Sequence, residues 1–179
     1  GQVVDCAMTE GVISMLGMIY GDFAEQRWQD ERESNVIDGA APFYQVYQCS
    51  DGQWLSVACI EPQFYQNFLQ AAGINDSVFK EQWNRALWPQ QAEKMSALFA
   101  QRSRDAWCEV FAPHDVCVTP VLSLAQAQQH PQNISRQAFV SKAGINQPAP
   151  VPRFSATPSD VQFQTVQQST ESVLTKWQA

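Results

Sequence analysis

The sequence is poor in positive charge and almost without histidine. Eleven Lys and Arg stand against eighteen Asp and Glu in 179 residues, a net charge of −7. So acidic a sequence has no general attraction for nucleic acid or for an anionic membrane surface, both of which select clustered cations. The only histidines are His114 and His130. The five cysteines (Cys6, Cys49, Cys59, Cys108, Cys117) form no CxxC pair and no Cys/His metal spacing, which argues against a bound metal and against a disulfide framework. They read as reduced, buried thiols of a cytoplasmic protein. No apolar run approaches the ~20 residues that a membrane-spanning helix needs, and no stretch has the pattern of a signal peptide. An initiator methionine is also missing. The first residue, Gly1, leads directly into an apolar run, so the sequence is expected to be a piece of something longer.

What is present reads as globular. Apolar residues make up 45% and charged residues 16%, over a length sufficient for one domain with a sizeable core. Residues 2–6 are expected to form a strand and residues 7–20 an apolar helix. Met8, Met15 and Met18 on that helix suit either an acyl-chain surface or, more simply, core packing. Residues 21–37 are polar and charged, as in an exposed linker. Phe43–Cys49 and Gln53–Ile60 flank Asp51-Gly52, a strong hairpin signal. A helix is expected from Pro62 to Gly73, a second from about Pro89 to Arg102, and a third from Arg104 to Phe111 capped by Ser103. Residues 76–88 carry no clear pattern. Val116–Leu122 reads as a returning strand and Ser123–His130 as a brief helix. Beyond Pro131 the prolines (Pro148, Pro150, Pro152, Pro158) predict an extended return path, followed by a last helix from Thr165 to Trp177. The many glutamines read as a surface choice. A compact α+β unit over about 40–135 results, with flanking pieces that lack partners of their own.

The segment Val57–Tyr65, VACIEPQFY, stands out. A strand runs into Glu61, and Pro62 at once opens a helix, so the glutamate occupies a strand-to-helix corner. Glutamate is not a usual N-cap residue, because its side chain is too long to reach back to the free N–H groups. Two readings remain open on these residues alone. The carboxylate is there for roughly 0.3–1 kcal/mol of helix-dipole stabilisation, or it is presented for chemistry.

Four motifs occur in one order: Asp38-Gly-Ala-Ala-Pro-Phe-Tyr44, Ser50-Asp-Gly52, Ile60-Glu-Pro-Gln-Phe-Tyr65 and Asp115-Val-Cys-Val-Thr-Pro-Val-Leu122. Together they resemble the C-terminal half of the alpha-methylacyl-CoA racemases, within the wider CoA-transferase family III. The opening Gly1–Gly11 resembles the segment that follows this family's GKG turn. The resemblance is dense to about Leu122 and thin after His130. It implies an α/β fold: a small α+β lobe over 37–136, joined to strips of a Rossmann-like large lobe. Those strips would be 1–36, ending in a linker, and a tail over 151–179 reached through a return linker at 137–150. It also implies an interlocked dimer with active sites between the large lobe of one subunit and the small lobe of the other.

The implied activity is interconversion of R and S 2-methylacyl-CoA thioesters by removal and return of the alpha proton. The coenzyme A thioester is the substrate, and no further cofactor is called for. Two acid/base groups must flank one carbon. Glu61 would be one of them. Its pKa would have to be raised, which burial beside Ile60, Phe64 and Tyr65 would do and the helix N-terminus would oppose. The family's partner His and Asp lie upstream of the GKG turn, outside this chain. His114, beside Pro113, and His130 read as turn and helix-end residues, Asp38 and Asp115 as turn and capping groups, and Asp5 as structural. Half of a two-sided machine is expected to be inactive alone. Its expected partners are the acyl-CoA, a second copy or the N-terminal half of the same protein, and neither nucleic acid nor membrane. The alternatives are a family III CoA transferase relative and a non-catalytic dimerisation or binding lobe.

Overall fold

The computed structural model of the chain describes residues 1–142, 144–161 and 169–177. They fall into two compact units, Gly1–Val121 and Leu122–Ala179. In the first unit a three-stranded antiparallel sheet has the order β1 (Tyr44–Gln48), β2 (Trp54–Ala58), β3 (Val118–Pro120). The Asp51-Gly52 turn forms as the sequence predicts. Gly52 takes φ +75°, the left-handed conformation that glycine adopts without Cβ strain. Asp51 Oδ1 accepts the Gln53 amide at 3.1 Å, and its Oδ2 accepts the Arg104 amide at 3.2 Å. One aspartate thus closes the hairpin tip and ties it to a helix start.

The register pairs Tyr47 with Leu55 and Val57 with both Gln45 and Val118. Because side chains alternate along a strand, Tyr47, Leu55 and Val57 share one face, and all three are buried. Against them pack α3 (Pro62–Ala71), α4 (Trp88–Phe99) and α5 (Arg104–Phe111). Each helix buries residues at helical spacing: Tyr65 and Phe68 on α3; Trp88, Gln91, Met95 and Phe99 on α4; Arg104, Trp107 and Phe111 on α5. Phe99 is the hub. Its ring centroid lies 5.1 Å from Tyr47, 5.3 Å from Trp107 and 6.3 Å from Phe68. Ser103 caps α5 by accepting the Ala106 amide at 3.3 Å. The segment without a clear pattern, 76–88, holds two short 3-10 turns, Ser77–Lys80 and Arg85–Leu87.

Several expectations are corrected. No strand forms at 2–6, because an extended segment needs a ladder partner and has none among the described residues. The single helix over 7–20 is two, α1 (Met8–Met15) and α2 (Gly17–Ala24), broken at Leu16. Met8, Met15 and Met18 are exposed rather than in a core, since no described element covers them. Cys6 is likewise exposed, and Cys108 and Cys117 are half-buried, leaving Cys49 and Cys59 as the buried thiols. The polar stretch 21–37 is not wholly exposed. Asn35 is fully buried, its amide bridging the Gln29 backbone and Asp38. Gln82 and Gln91 are buried too, so glutamine is not only a surface choice here.

In the second unit, α6 (Leu124–Gln129) starts with a reciprocal capping box between Ser123 and Gln126. The short α7 (Pro131–Ser135) opens on proline. The expected extended return path is instead a hairpin, β4 (Phe139–Lys142) with β5 (Ile145–Pro148), whose Gly144 takes φ +78°. The last helix, α8, spans Thr170–Trp177; residues 165–168 of the predicted helix lie outside the described ones. Among the described residues no helix is long and apolar enough to cross a membrane.

Phe99→Ala is expected to cost about 3–5 kcal/mol, the usual range for a phenylalanine removed from a packed core. Urea unfolding of the parent and the variant, followed by tryptophan fluorescence, measures it.

Candidate functional site

The strand-to-helix corner is built where the sheet ladder runs out. The Ala58 amide still donates to the Cys117 carbonyl at 2.8 Å and the Cys59 amide to the Phe43 carbonyl at 2.9 Å. Beyond them the carbonyls of Cys59 and Ile60 have left the sheet. The Gln82 side chain takes both, its Nε2 donating at 3.1 Å and 2.8 Å. Glu61 follows in extended backbone, φ −69° and ψ 140°, at the N-cap of α3. Pro62 takes the first helical position, and the Tyr65 amide donates to the Glu61 carbonyl at 3.0 Å.

The Glu61 carboxylate makes no capping hydrogen bond and is exposed. The burial that the sequence predicts around it is therefore not supplied by this chain. Tyr65 turns into the core, where its hydroxyl donates to the Phe79 carbonyl at 3.0 Å, and Ile60 and Phe64 are only half-buried. A cleft of about 410 Å³ beside α3, lined by Gln66, Leu69, Gln70, Asp76, Phe79 and Lys80 among others, leaves Glu61 outside it.

Two thiols feel the same corner. Cys59 Sγ lies 3.8 Å from the Cys117 carbonyl oxygen. Burial pushes the Cys59 thiol up to about 11, with the charge of Glu61 among the smaller causes acting the same way. Burial also raises Cys117, aided by the charges of Glu61 and Asp115. The thiolate is the nucleophilic form, so thiols held protonated beside a carboxylate are poor nucleophiles at neutral pH.

The other candidate carboxylates and histidines have structural settings. Burial works against the charge of Asp38, but hydrogen bonds outweigh it and hold its carboxyl below the usual range. These come from the side chain and backbone of Asn35 (both at 2.7 Å) and from the backbone of Ser34 and Ala40. Asp38 thus shapes the turn that leads into β1. Asp115 contributes its carbonyl, which accepts from Asn67 Nδ2 at 3.0 Å. His114 is exposed in the turn after α5, and His130 joins α6 to α7. Asp5 is exposed. No group of three or more His, Cys, Asp or Glu among the described residues is placed to hold a metal ion.

Gln82 escaped the sequence reading because nothing local distinguishes it from the exposed glutamines. Arg104 escaped it for the same reason. It is buried, pairs with Asp105 at 2.9 Å, and donates to Gln53 Oε1 and the Val121 carbonyl.

The sequence profile of CoA-transferase family III matches residues 1–168. The alpha-methylacyl-CoA racemase of Mus musculus is 35% identical over 160 residues, which cover 89% of this chain and 42% of the relative. That of Homo sapiens is 32% identical over 178 residues, covering 97% and 47%. The chain thus spans somewhat less than half the length of these relatives. The crystal structure of Rv3272 from Mycobacterium tuberculosis superposes with a TM-score of 0.65 at 13% identity, over 89% of this chain and 42% of that one. The likeness is one of fold.

The thiols give a testable pH dependence. A group whose pKa is higher in the folded state than in the unfolded one contributes stability that is complete below the unfolded value and lost as pH rises through the folded value. For Cys59 the window runs from 9.0 to about 11. Unfolding free energy is expected to fall across it by about 2–3 kcal/mol from this thiol, at 1.36 kcal/mol per unit. Cys59→Ala should flatten the slope, as read by urea titrations at pH 8, 9.5 and 11.

Proposed function

The chain belongs to CoA-transferase family III, and we propose that it carries the glutamate side of a racemase active site acting on 2-methylacyl-CoA thioesters. One observation carries the proposal: Glu61 is an exposed carboxylate on a rigidly held corner, and capping does not occupy it. A structural N-cap would turn its side chain back onto the helix amides. The relatives named as racemases, at 32% and 35% identity, supply the substrate class.

The mechanism is proton removal and return at one carbon. The thioester carbonyl acidifies its alpha C–H. One base takes that proton, the electron pair passes into an enolate, and an acid on the opposite face returns a proton to the alpha carbon with inverted configuration. Donors near the thioester oxygen carry the enolate charge. Glu61 serves one face, as base in one direction and as acid in the other. By resemblance, a His and an Asp outside this chain serve the other face. In the same proposal residues 37–136 are the small lobe, 137–150 a return linker, and 1–36 and 151–179 parts of a large lobe. The exposed apolar side chains of α1 and α2, among them Met8, Val12, Ile13 and Met15, are then surface that the rest of the lobe covers. The assembly is a dimer in which small and large lobes of different subunits face each other, and the chain by itself is inactive.

A family III CoA transferase would instead use an aspartate nucleophile and has no need of a base at position 61. Glu61→Gln separates the two. In a full-length protein containing these residues, interconversion of R and S 2-methylacyl-CoA is expected to fall by on the order of 10²–10⁴-fold. Retained interconversion sinks the racemase assignment of Glu61. The isolated chain is expected to give no deuterium uptake at the alpha carbon in heavy water above the uncatalysed rate; measurable uptake would show that it holds a working base and a thioester site of its own.

A further inference from the structure

We propose that Gln82 is a positioning residue for Glu61, its side-chain amide fixing the two peptide units that aim the carboxylate. The inference rests on the reading of Glu61 as an acid/base group.

Glu61 has no side-chain tether of the capping kind, so the direction of its carboxylate depends on how firmly the backbone before it is held. That backbone is where sheet pairing stops. The β2 ladder ends at Ala58, and the carbonyls of Cys59 and Ile60 have no strand opposite them. Cys59 is fully buried, so its carbonyl needs a protein donor. A primary amide suits the task because one nitrogen carries two N–H groups and serves two successive carbonyls. Gln82 Nε2 does so at 3.1 Å and 2.8 Å. Asparagine is a methylene shorter. Glutamate would set lone pairs against lone pairs, and lysine would bring a charge into a site that is 7% exposed.

Gln82 is itself braced from the core. Its carbonyl accepts Trp88 Nε1–H at 2.9 Å, and Trp88 packs edge-on against Phe43 with centroids 5.8 Å apart. Gln91 Nε2 holds the Val78 carbonyl at 2.7 Å, and the Tyr65 hydroxyl holds that of Phe79. The segment 78–82 is therefore fixed to α4 on one side and to α3 on the other. Gln82 is its contact with the peptide units just before Glu61. Catalysis is sensitive to such placement: an error of about 1 Å in a reacting group costs on the order of 10²-fold.

The test uses interconversion of R and S 2-methylacyl-CoA by the full-length protein. Gln82→Met keeps the shape and removes both donors. The expected result is a kcat lower by about 10- to 100-fold with KM within about twofold of the parent. Placed on Glu61→Gln, Gln82→Met should remove nothing further, because a residue that acts through Glu61 has no effect once that carboxylate is gone. Phe99→Leu loosens the core without touching the corner and should keep its kcat. The proposal is overturned if Gln82→Met turns over like the parent, or if its loss multiplies with that of Glu61→Gln. It is also overturned if Phe99→Leu loses as much. Glu61→Gln alone reports on the parent reading: interconversion that survives it removes the base, and with it the object of the positioning. Should Gln82→Met fail to fold, side-chain amide exchange in the unmutated protein decides. Slow exchange of the Gln82 Nε2 protons supports the brace, and exchange at the rate of free glutamine refutes it.

Discussion

The first unit depends on the position of β2 in the middle of a sheet with only one buried face. Its partners come from opposite directions in sequence. β1 arrives through a tight Asp-Gly turn, and β3 returns some sixty residues later to pair at Leu55, Ser56 and Val57. Tyr47, Leu55 and Val57 then face one way, and every helix of the small core must meet them there. Phe68, Phe99, Trp107 and Phe111 interlock over that face with ring separations of 5.3–6.4 Å. The buried Arg104 fastens the arrangement from outside the apolar cluster, joining the hairpin side chain of Gln53 to the end of β3 at Val121. With β2 held on both edges, the point at which the chain leaves the sheet is fixed, and the corner at Glu61 follows from it.

The corner shows how a polar requirement is created by an apolar design. Helices packed on one face force the chain to turn sharply after Ala58, and a sharp turn at the end of a central strand strands two carbonyls close to the core. A surface loop would leave them to water. Here Gln82 meets them. Burying an amide costs free energy unless its own groups are satisfied, and the Nε2 donors of Gln82 are satisfied by the carbonyls that they serve.

Legibility follows the range of the interactions. The Asp51-Gly52 turn, Pro62 at the head of α3 and Ser103 at the head of α5 are read correctly because each depends on groups within a few residues. The position of Glu61 is read for the same reason; its exposure is not, because burial depends on what packs over the corner. The run Gln2–Cys6 has strand composition but no strand to pair with among the described residues. Met8, Met15 and Met18 have helical spacing but no facing surface in the described residues. The proline-rich return path conceals a hairpin, because Gly144 provides the turn and the prolines lie at or beyond the end of β5. Gln82 and Gln91 look like their exposed neighbours until the fold places carbonyls beside them.

The electrostatics of the chain bear on how a racemase site would be completed. A helix N-terminus favours the charged form of a carboxylate, and Glu61 stands at that of α3. Proton donation near neutral pH needs the opposite bias, and desolvation is the strongest source of it. With Glu61 exposed and Tyr65 turned inward, that desolvation has to come from a surface laid over the corner. On the racemase reading the phosphates of coenzyme A make a second demand, for cations, several of which are held in ion pairs in this chain. Arg27 is paired with Asp22 and Glu25, Arg32 with Glu33, Lys94 with Asp76, and Arg104 with Asp105. A net charge of −7 leaves little attraction for a polyanion. On the racemase reading, a surface laid over the corner excludes water from Glu61 and supplies that desolvation.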